Sequence, residues 1–160
     1  MLFRSPQDAQ NRAKCEAIIT EIIAEENQNF LGWRDVPVDN SNIAEAARDV
    51  EPCMRQVFIA STVADNNVFE RKCFVIRKRI EHAVRALNLK DKAQFYVPSF
   101  SSRTIVYKGM LLANEVGVYY KDLVDDSVVS ALALVHQRFS TNTFPAWDLA
   151  HPFRMIAHNG

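Results

Sequence analysis

One amphipathic segment near the amino terminus constrains the fold more than any other stretch. Its apolar residues recur at helical spacing, and charged residues fall on the opposite side. The apolar stripe consists of Cys15, Ile18, Ile19, Ile22 and Ile23. This spacing predicts a helix over about 7–27. Ser5 is its predicted N-cap, with Pro6 in the first helical position.

The rest of the chain alternates short apolar runs with turn residues. The predicted strands are 30–37, 56–60, 73–77, 95–97, 104–108, 128–135 and 153–157. The further predicted helices are 43–47, 78–88 and 111–120. Residues 67–88 also have helical spacing, but the apolar run at 73–76 favours a strand there. Leu2 and Phe3 are interpreted as the end of an earlier segment. Strands and helices without a regular β-α alternation predict an α+β fold in a single domain, 1–160.

The composition is that of a soluble globular protein. Of the 160 residues, 48% are hydrophobic and 24% are charged, which is enough apolar material for a real core. The 19 basic residues balance the 19 acidic ones, so no net charge attracts the chain to nucleic acid or to an anionic membrane. No apolar run approaches the roughly 20 residues that span a bilayer, and the first residues lack the apolar core of a signal peptide.

Cysteine and histidine usage predicts neither a metal site nor a thiol nucleophile. The three cysteines are Cys15, Cys53 and Cys73. They are far apart, form no CxxC pair, and lack the sharply turned, glycine-rich setting of a nucleophile, so we expect structural thiols. Scattered thiols fit a reducing compartment, which predicts a cytoplasmic location. His136, His151 and His158 share no helix face, so no metal is expected.

Two apolar runs near the carboxyl end lead directly into polar residues, Arg138 after the first and Asn159-Gly160 after the second. Strands that end in this way can hold side chains at the rim of a site. Arg138 can clamp a carboxylate with two parallel hydrogen bonds, but an ion pair, for instance with Asp148, is the simpler interpretation. Asn159 and the backbone N–H of Gly160 can stabilise an oxyanion, although Asn-Gly is also a common turn.

A basic run lies between residues 71 and 79 and is interleaved with Glu70, Glu81 and apolar positions. Clustered lysine and arginine residues can neutralise phosphates. The interleaved acids favour a solvated helix face instead, so no nucleic-acid partner is expected.

The amino-acid sequence of the carboxyl-terminal stretch, HQRFSTNTFPAWDLAHPFRMIAHNG, resembles that of the glutaminase domain of glutamate synthase large subunits. These domains are type 2 glutamine amidotransferases. The resemblance extends through FERKCFVIRKRIEHAV, FYVPSFSSRTIVYKGMLLANEVGVYY and LGWRDVPVDNS, and so covers essentially the whole chain. It implies a four-layer αββα sandwich of the N-terminal-nucleophile hydrolase type.

The resemblance also implies roles for the polar residues. Arg138 matches the arginine that holds the α-carboxylate of glutamine, and Asn159 and Gly160 match the oxyanion-hole pair. The implied reaction hydrolyses glutamine to glutamate and ammonia, which a synthase domain then uses to aminate 2-oxoglutarate. FMN, an iron–sulfur cluster and an electron donor (NADPH, NADH or ferredoxin) serve those later domains, in some cases with a small electron-donating subunit.

The family's nucleophile is a cysteine at the first position of the mature protein, and its free α-amino group acts as the base. Residue 1 here is Met and residue 2 is Leu. The family's acidic residue for the substrate amino group is expected beyond Gly160. These departures predict an internal fragment that is inactive alone and holds no cofactor. The alternative is a non-catalytic glutamine-binding or regulatory module derived from the domain.

Overall fold

A computed structural model of the chain describes residues 1–87, 89, 95–137 and 144–152. The Cα packing divides the chain into two compact units. Unit 1 comprises Met1–Asp35 and Pro52–Ile105, and unit 2 comprises Val36–Glu51 and Val106–Gly160.

Unit 1 contains a four-stranded antiparallel sheet. The strands are β1 (Leu2–Ser5), β2 (Asn29–Asp35), β3 (Cys53–Ala60) and β4 (Tyr96–Ser99). Their order is β2-β3-β1-β4, and every neighbouring pair is antiparallel. The α-helices in the described residues are α1 (Ala9–Glu25), α2 (Glu45–Arg48), α3 (Asn66–Ala86) and α4 (Val116–Tyr119). The two long helices, α1 and α3, belong to unit 1 and pack against each other.

Helix α1 confirms the first predicted helix, but with a different start. Asp8 is the N-cap, because its carboxylate accepts a hydrogen bond of 2.7 Å from the backbone N–H of Asn11. Ser5, the predicted cap, is instead the last residue of β1. The buried residues of α1 are Cys15, Ile19, Ile22 and Ile23. Since all four belong to the predicted stripe, its spacing correctly identified the face that packs inward.

Helix α3 replaces both the strand predicted at 73–77 and the helix predicted at 78–88, so the strand prediction was wrong. Asp65 caps the start of α3 by accepting hydrogen bonds from two backbone N–H groups. The buried residues are Phe69, Cys73, Ile76, Ile80 and Val84, three or four positions apart. Between them, Phe74 and Val75 are 51% and 41% exposed. The apolar run therefore contains both core and surface positions of one long helix.

The core of unit 1 draws on both long helices and on three strands. Its buried members are Phe3, Cys15, Ile19, Ile22, Ile23, Val57, Phe69, Cys73, Ile76, Ile80, Val84, Leu89, Val97 and Phe100. Phe3 on β1 contacts Trp33 and Phe100 edge-on, with ring centroids 5.7 and 5.8 Å apart. Such aromatic pairs add stability beyond the area they bury. A residue that the sequence pattern left outside any element thus belongs to the core.

The strand predictions were correct for three of the four strands in the sheet. The runs at 30–37, 56–60 and 95–97 correspond to β2, β3 and β4. The apolar run at the amino terminus has only two residues, Leu2 and Phe3, before Ser5-Pro6, and β1 was therefore missed. It is defined by pairing with β3, where Phe3 lies opposite Arg55.

Two other predicted strands, 104–108 and 128–135, are not strands in the structure. In the second segment, the side chains of Val129 and Leu132 are 86% and 83% exposed. A β-strand requires a neighbour for its backbone groups. Within the described part of the chain, neither segment pairs with one. Apolar character alone therefore did not make either of them a strand.

The described residues of unit 2 contain little regular secondary structure. The short helix α2 confirms the helix predicted at 43–47, and α4 is a single turn within the range predicted as 111–120. A 3-10 helix, Lys121–Val124, follows α4. An isolated β-bridge joins Val38 and Tyr120.

The antiparallel sheet and its helices confirm the mixed α and β class. The four-layer sandwich and the single-domain assignment stay predictions. No helix in the described ranges has the length and apolar character to span a bilayer.

Candidate glutamine site

The predicted site residues Arg138, Asn159 and Gly160 lie outside the described residues, as does the predicted strand 153–157. Their roles stay predictions. What the structure adds is the packing of the flanking segments of unit 2, above all residues 144–152.

Lys108 is buried and binds the backbone of a turn that precedes the predicted oxyanion residues. Its side chain is only 5% exposed, and Nζ donates hydrogen bonds of 2.8 Å to the carbonyl oxygens of Asp148 and Ala150. The hydroxyl of Tyr120 donates a bond of 2.7 Å to the carbonyl oxygen of Lys108 itself. Sequence reasoning missed this lysine. The available signal was a charge at the end of the apolar run 104–108.

Trp147 anchors the same turn. Its indole Nε1 donates a hydrogen bond of 2.9 Å to the carbonyl oxygen of Ala47, and the ring is buried. A Cβ atom on Gly109 would lie well inside van der Waals contact with that ring. Because the ring of Trp147 approaches so closely, a residue with a Cβ atom at position 109 would force the ring to move, and glycine avoids this clash.

Glu51 is a buried carboxylate with two donors. It accepts hydrogen bonds from the hydroxyl of Tyr119 and, at 2.8 Å, from the side-chain amide of Asn40. Tyr119 lies 68 residues away along the chain. A buried carboxylate bonded in this way is held in place and is satisfied, as buried polar groups generally must be.

Three tyrosines of unit 2, Tyr107, Tyr119 and Tyr120, lie close together. The hydroxyl of Tyr107 donates to Asp122 at 2.9 Å. The ring of Tyr120 lies edge-on to those of Tyr107 and Tyr119, with centroids 5.0 and 4.7 Å apart. These three buried or half-buried rings therefore pack against one another while their hydroxyl groups are hydrogen-bonded.

His136 and His151 lie side by side in unit 2, with ring centroids 4.6 Å apart. His136 is two residues before Arg138, and His151 directly follows Ala150. The third histidine considered, His158, lies outside the described residues. Among the residues that are described, no group of three or more histidine, cysteine or acidic side chains has the arrangement of a metal site.

The cysteines have the properties of structural thiols. All three are free, and Cys53 begins β3. Burial raises the pKa of Cys15 to about 11 and that of Cys73 to about 12. Burial also raises the pKa of Cys53. Because the thiolate is the nucleophilic form, these thiols are poor candidates for the attacking group.

Four basic residues of α3, Lys72, Arg77, Lys78 and Arg79, are paired with carboxylates. Lys72 Nζ and Arg79 Nη1 each lie 2.9 Å from a carboxylate oxygen of Glu26, and Lys78 Nζ lies 2.9 Å from Glu81. Hydrogen bonds from Lys72 and then Arg79 lower the pKa of Glu26. This pairing agrees with the interpretation of the basic run as a solvated helix face.

An open groove of about 700 Å³ runs between α1 and α3. Ile18, Phe74 and Val75 contribute apolar surface to it, and Glu25 and Arg79 are among its charged residues. All of its lining residues belong to unit 1.

Comparison with known proteins identifies the family. A family model described as "Glutamine amidotransferases class-II" matches residues 1–160. The glutamate synthase [NADPH] large chain of Bacillus subtilis is 48% identical over 162 residues, covering 100% of this chain and 10% of that protein. The corresponding protein of Azospirillum brasilense is 44% identical over 161 residues, covering 99% of this chain and 10% of that protein.

A plant relative has a similar match. The chloroplastic ferredoxin-dependent glutamate synthase 2 of Arabidopsis thaliana is 43% identical over 162 residues, covering 100% of this chain and 10% of that protein. The chain thus spans about one tenth of the length of the curated relatives it matches. Because the family match includes every residue, this chain belongs to the class-II glutamine amidotransferases.

Proposed function

We propose that this chain supplies the carboxylate-binding and oxyanion-stabilising parts of the glutamine site in a glutamate synthase. The observation that carries the proposal is the family match over residues 1–160, which contains both motif segments. In this proposal, the guanidinium of Arg138 makes a bidentate pair with the α-carboxylate of glutamine. The amide of Asn159 and the backbone N–H of Gly160 donate to the oxygen that becomes negative when the side-chain amide is attacked.

The proposed reaction also needs a thiolate and a base. The thiolate would attack the amide carbon of glutamine, ammonia would leave, and water would then release glutamate from the thioester. Burial raises the pKa of Cys15, Cys53 and Cys73, which makes all three unsuitable for this task. We therefore assign the nucleophile to a cysteine outside these 160 residues, with its own α-amino group as the base. The isolated chain would then hydrolyse no glutamine.

The ammonia would be used by synthase domains elsewhere in the longer protein to aminate 2-oxoglutarate. The Bacillus relative is named for NADPH and the Arabidopsis relative for ferredoxin, and NADH is a third candidate donor. A small electron-donating subunit is a further proposed partner. A cytoplasmic location is proposed here, while the Arabidopsis relative is named chloroplastic.

FMN and the iron–sulfur cluster are assigned to those other domains. An iron–sulfur cluster is held by several cysteine thiolates brought together. Cys15, Cys53 and Cys73 do not fit this requirement, because they lie on α1, β3 and α3 and burial raises the pKa of each. No step of the proposed glutaminase reaction uses either group.

Ammonia release from glutamine tests the proposal. The whole protein that carries this chain is expected to release ammonia, and the purified 160-residue chain is expected to release none above buffer. In the whole protein, Arg138→Ala is expected to raise the glutamine KM by ~10- to 100-fold, because charge-assisted hydrogen bonds to the carboxylate are lost.

Arg103→Ala is the matched control, since Arg103 is an exposed arginine that bonds Asn67 in unit 1. Its KM should equal that of the unmodified protein. An unchanged KM in Arg138→Ala would remove Arg138 from its proposed role. Glutamine binding by the whole protein without any ammonia release would favour the alternative, a non-catalytic glutamine-binding or regulatory module.

A further inference from the structure

The groove between α1 and α3 brings several accessible apolar side chains together. Ile18 on α1 and Ala83 on α3 are half-buried, and Phe74 and Val75 on α3 are 51% and 41% exposed. Single exposed apolar residues are common on protein surfaces, but these four line one open groove of about 700 Å³. Contiguous apolar surface in a concave feature is typical of an interaction site.

Phe74 and Val75 belong to a second face of α3, separate from its core face. The core face consists of Phe69, Cys73, Ile76, Ile80 and Val84. The residues of α3 that line the groove recur four positions apart, as 74-78-82 and 75-79-83. Side chains four positions apart lie on the same side of a helix. The groove therefore extends along a continuous face of α3 and is not the exposure of one isolated residue.

The dimensions of the groove fit a short helix. Its lining residues span 18–25 on α1 and 74–83 on α3. At a rise of 1.5 Å per residue, these spans are about 10 Å and about 14 Å long. An amphipathic helix binds in a groove of this kind by inserting apolar side chains from successive turns. Two to three turns of such a helix would fill it.

The charges along the groove indicate what a docked helix must carry. Arg79 of α3 pairs with Glu25 of α1, and Lys78 pairs with Glu81. Glu21 also lines the groove, and it takes part in none of the ion pairs found among the described residues. A lysine or arginine on the docked helix would complement this carboxylate.

The size of the groove favours a tethered segment over a separate protein. Stable complexes of separate proteins bury roughly 800 Å² on each partner, and a groove of two to three helical turns offers less than that. A segment of the same polypeptide binds at a high effective concentration, so a smaller surface is enough. The matched stretch is 10% of the length of the Bacillus relative, and a protein of that length has ample chain to supply the segment.

We propose that the groove between α1 and α3 receives an amphipathic helix from a part of the same polypeptide outside residues 1–160. Apolar side chains of that helix contact Phe74 and Val75, and a lysine or arginine pairs with Glu21. The inference goes beyond the proposed function, because it concerns the attachment of this chain to the rest of the protein. It uses none of the residues proposed to bind glutamine.

The reactivity of an introduced thiol measures whether the groove is covered. In the whole protein that carries this chain, Val75→Cys is treated with a maleimide, and labelling of its peptide is followed by mass spectrometry. We expect labelling to be ~10-fold or more slower than in the urea-unfolded protein, because the docked helix blocks access. Val118→Cys is the matched control, since Val118 is 43% exposed in unit 2. Equal slowing of the two thiols, or unslowed labelling of Val75→Cys, overturns the inference.

A photo-crosslinker identifies what occupies the groove. Phe74→p-benzoylphenylalanine changes an exposed position and leaves the core of unit 1 intact. We expect a cross-link to a peptide outside residues 1–160, in a product with the mass of one chain. A product with the mass of two chains would identify a second copy as the occupant and overturn the inference. Cross-links confined to residues 1–160, or no cross-link at all, would overturn it as well.

Charge reversal tests the pairing at Glu21. In the Val75→Cys protein, Glu21→Lys should make labelling ~3-fold faster, because a like charge at the rim weakens docking of the helix. Lys14→Glu is the matched control, an exposed charge reversal on α1 outside the groove, and should leave the labelling rate unchanged. An unchanged rate with Glu21→Lys would overturn the assignment of a basic partner to Glu21.

Discussion

Unit 1 and unit 2 differ in what fills their interiors. The buried cluster of unit 1 is apolar and comes mainly from regular elements, above all α1 and α3. Among the described residues, unit 1 buries one charged side chain, Arg4, beside this cluster, whereas unit 2 buries three, Glu51, Lys108 and Asp122, each hydrogen-bonded within the unit. An apolar core tolerates exchange of side chains of similar volume, whereas a polar interior depends on individual bonds. We therefore expect unit 1 to tolerate side-chain exchanges of similar volume and unit 2 to be sensitive to the loss of single hydrogen bonds.

The two tryptophans allow this comparison to be measured. Trp33 is in β2 of unit 1, and Trp147 is in unit 2. In a Trp33→Phe background, fluorescence therefore reports on unit 2 through Trp147. Far-UV ellipticity reports mainly on unit 1, because the long helices α1 and α3 belong to it.

The largest effect is expected from a cavity in unit 1. Ile76 is completely buried in the core cluster. Ile76→Ala should lower the free energy of unfolding by ~2–5 kcal/mol, measured from the far-UV ellipticity in urea. Val75→Ala is the matched control on the exposed side of α3 and should lose less than about 1 kcal/mol. Equal losses in the two variants would mean that burial of Ile76 in the core does not contribute more to the free energy of unfolding than the exposed Val75.

An intermediate effect is expected from crowding in unit 2. Gly109→Ala places a methyl group against the ring of Trp147 and should destabilise by ~1–3 kcal/mol, measured from Trp147 fluorescence in urea. Gly117→Ala is the matched control. Gly117 lies in α4, and a methyl group there would lie 3.9 Å from the side chain of Val124, an ordinary van der Waals distance. The control should be neutral or stabilising by up to ~1 kcal/mol. A stable Gly109→Ala protein would show that the turn at Trp147 is not rigid.

The smallest effect concerns the surface charges of unit 1. Lys72 and Arg79 lower the pKa of Glu26 in the folded chain, so its contribution to stability is present above the unfolded value of about 4.3. That contribution disappears as the pH falls through the lowered pKa. The stability difference between the unmodified protein and Glu26→Gln should therefore shrink between about pH 6 and about pH 3 in urea titrations. The exposed carboxylate of Glu21 provides the control, and Glu21→Gln should show a smaller change.

The spacing of apolar residues predicted a helix of unit 1 correctly only where every apolar residue of the segment fits the helical period. The stripe of α1 has one interpretation, and the prediction was correct. In α3, the adjacent apolar residues Phe74 and Val75 form a continuous apolar run with Cys73 and Ile76, which is typical of a strand. The buried residues of α3 nevertheless follow the helical period. β1 was missed because only two apolar residues, Leu2 and Phe3, mark it in the sequence, and pairing with β3 defines the strand.

Unit 2 was harder to predict because its contacts join distant residues. No local pattern indicates that Trp147 bonds Ala47, 100 residues away, or that Lys108 bonds Ala150. The roles predicted for Arg138, Asn159 and Gly160 came from the family resemblance. From residues alone, an ion pair and a turn were the simpler interpretations. Sequence pattern therefore served best where neighbours along the chain are also neighbours in space.

The position of β1 inside the sheet has a consequence for folding order. Its two neighbours are β3, which begins at Cys53, and β4, which begins at Tyr96. A chain that folds during synthesis makes β1 long before either partner, and contacts of such sequence separation form slowly. Leu2 and Phe3 therefore stay unpaired until β3 has been synthesised. Until β4 arrives, one edge of β1 remains open, and that edge is where we expect a newly made chain to aggregate or to bind a chaperone.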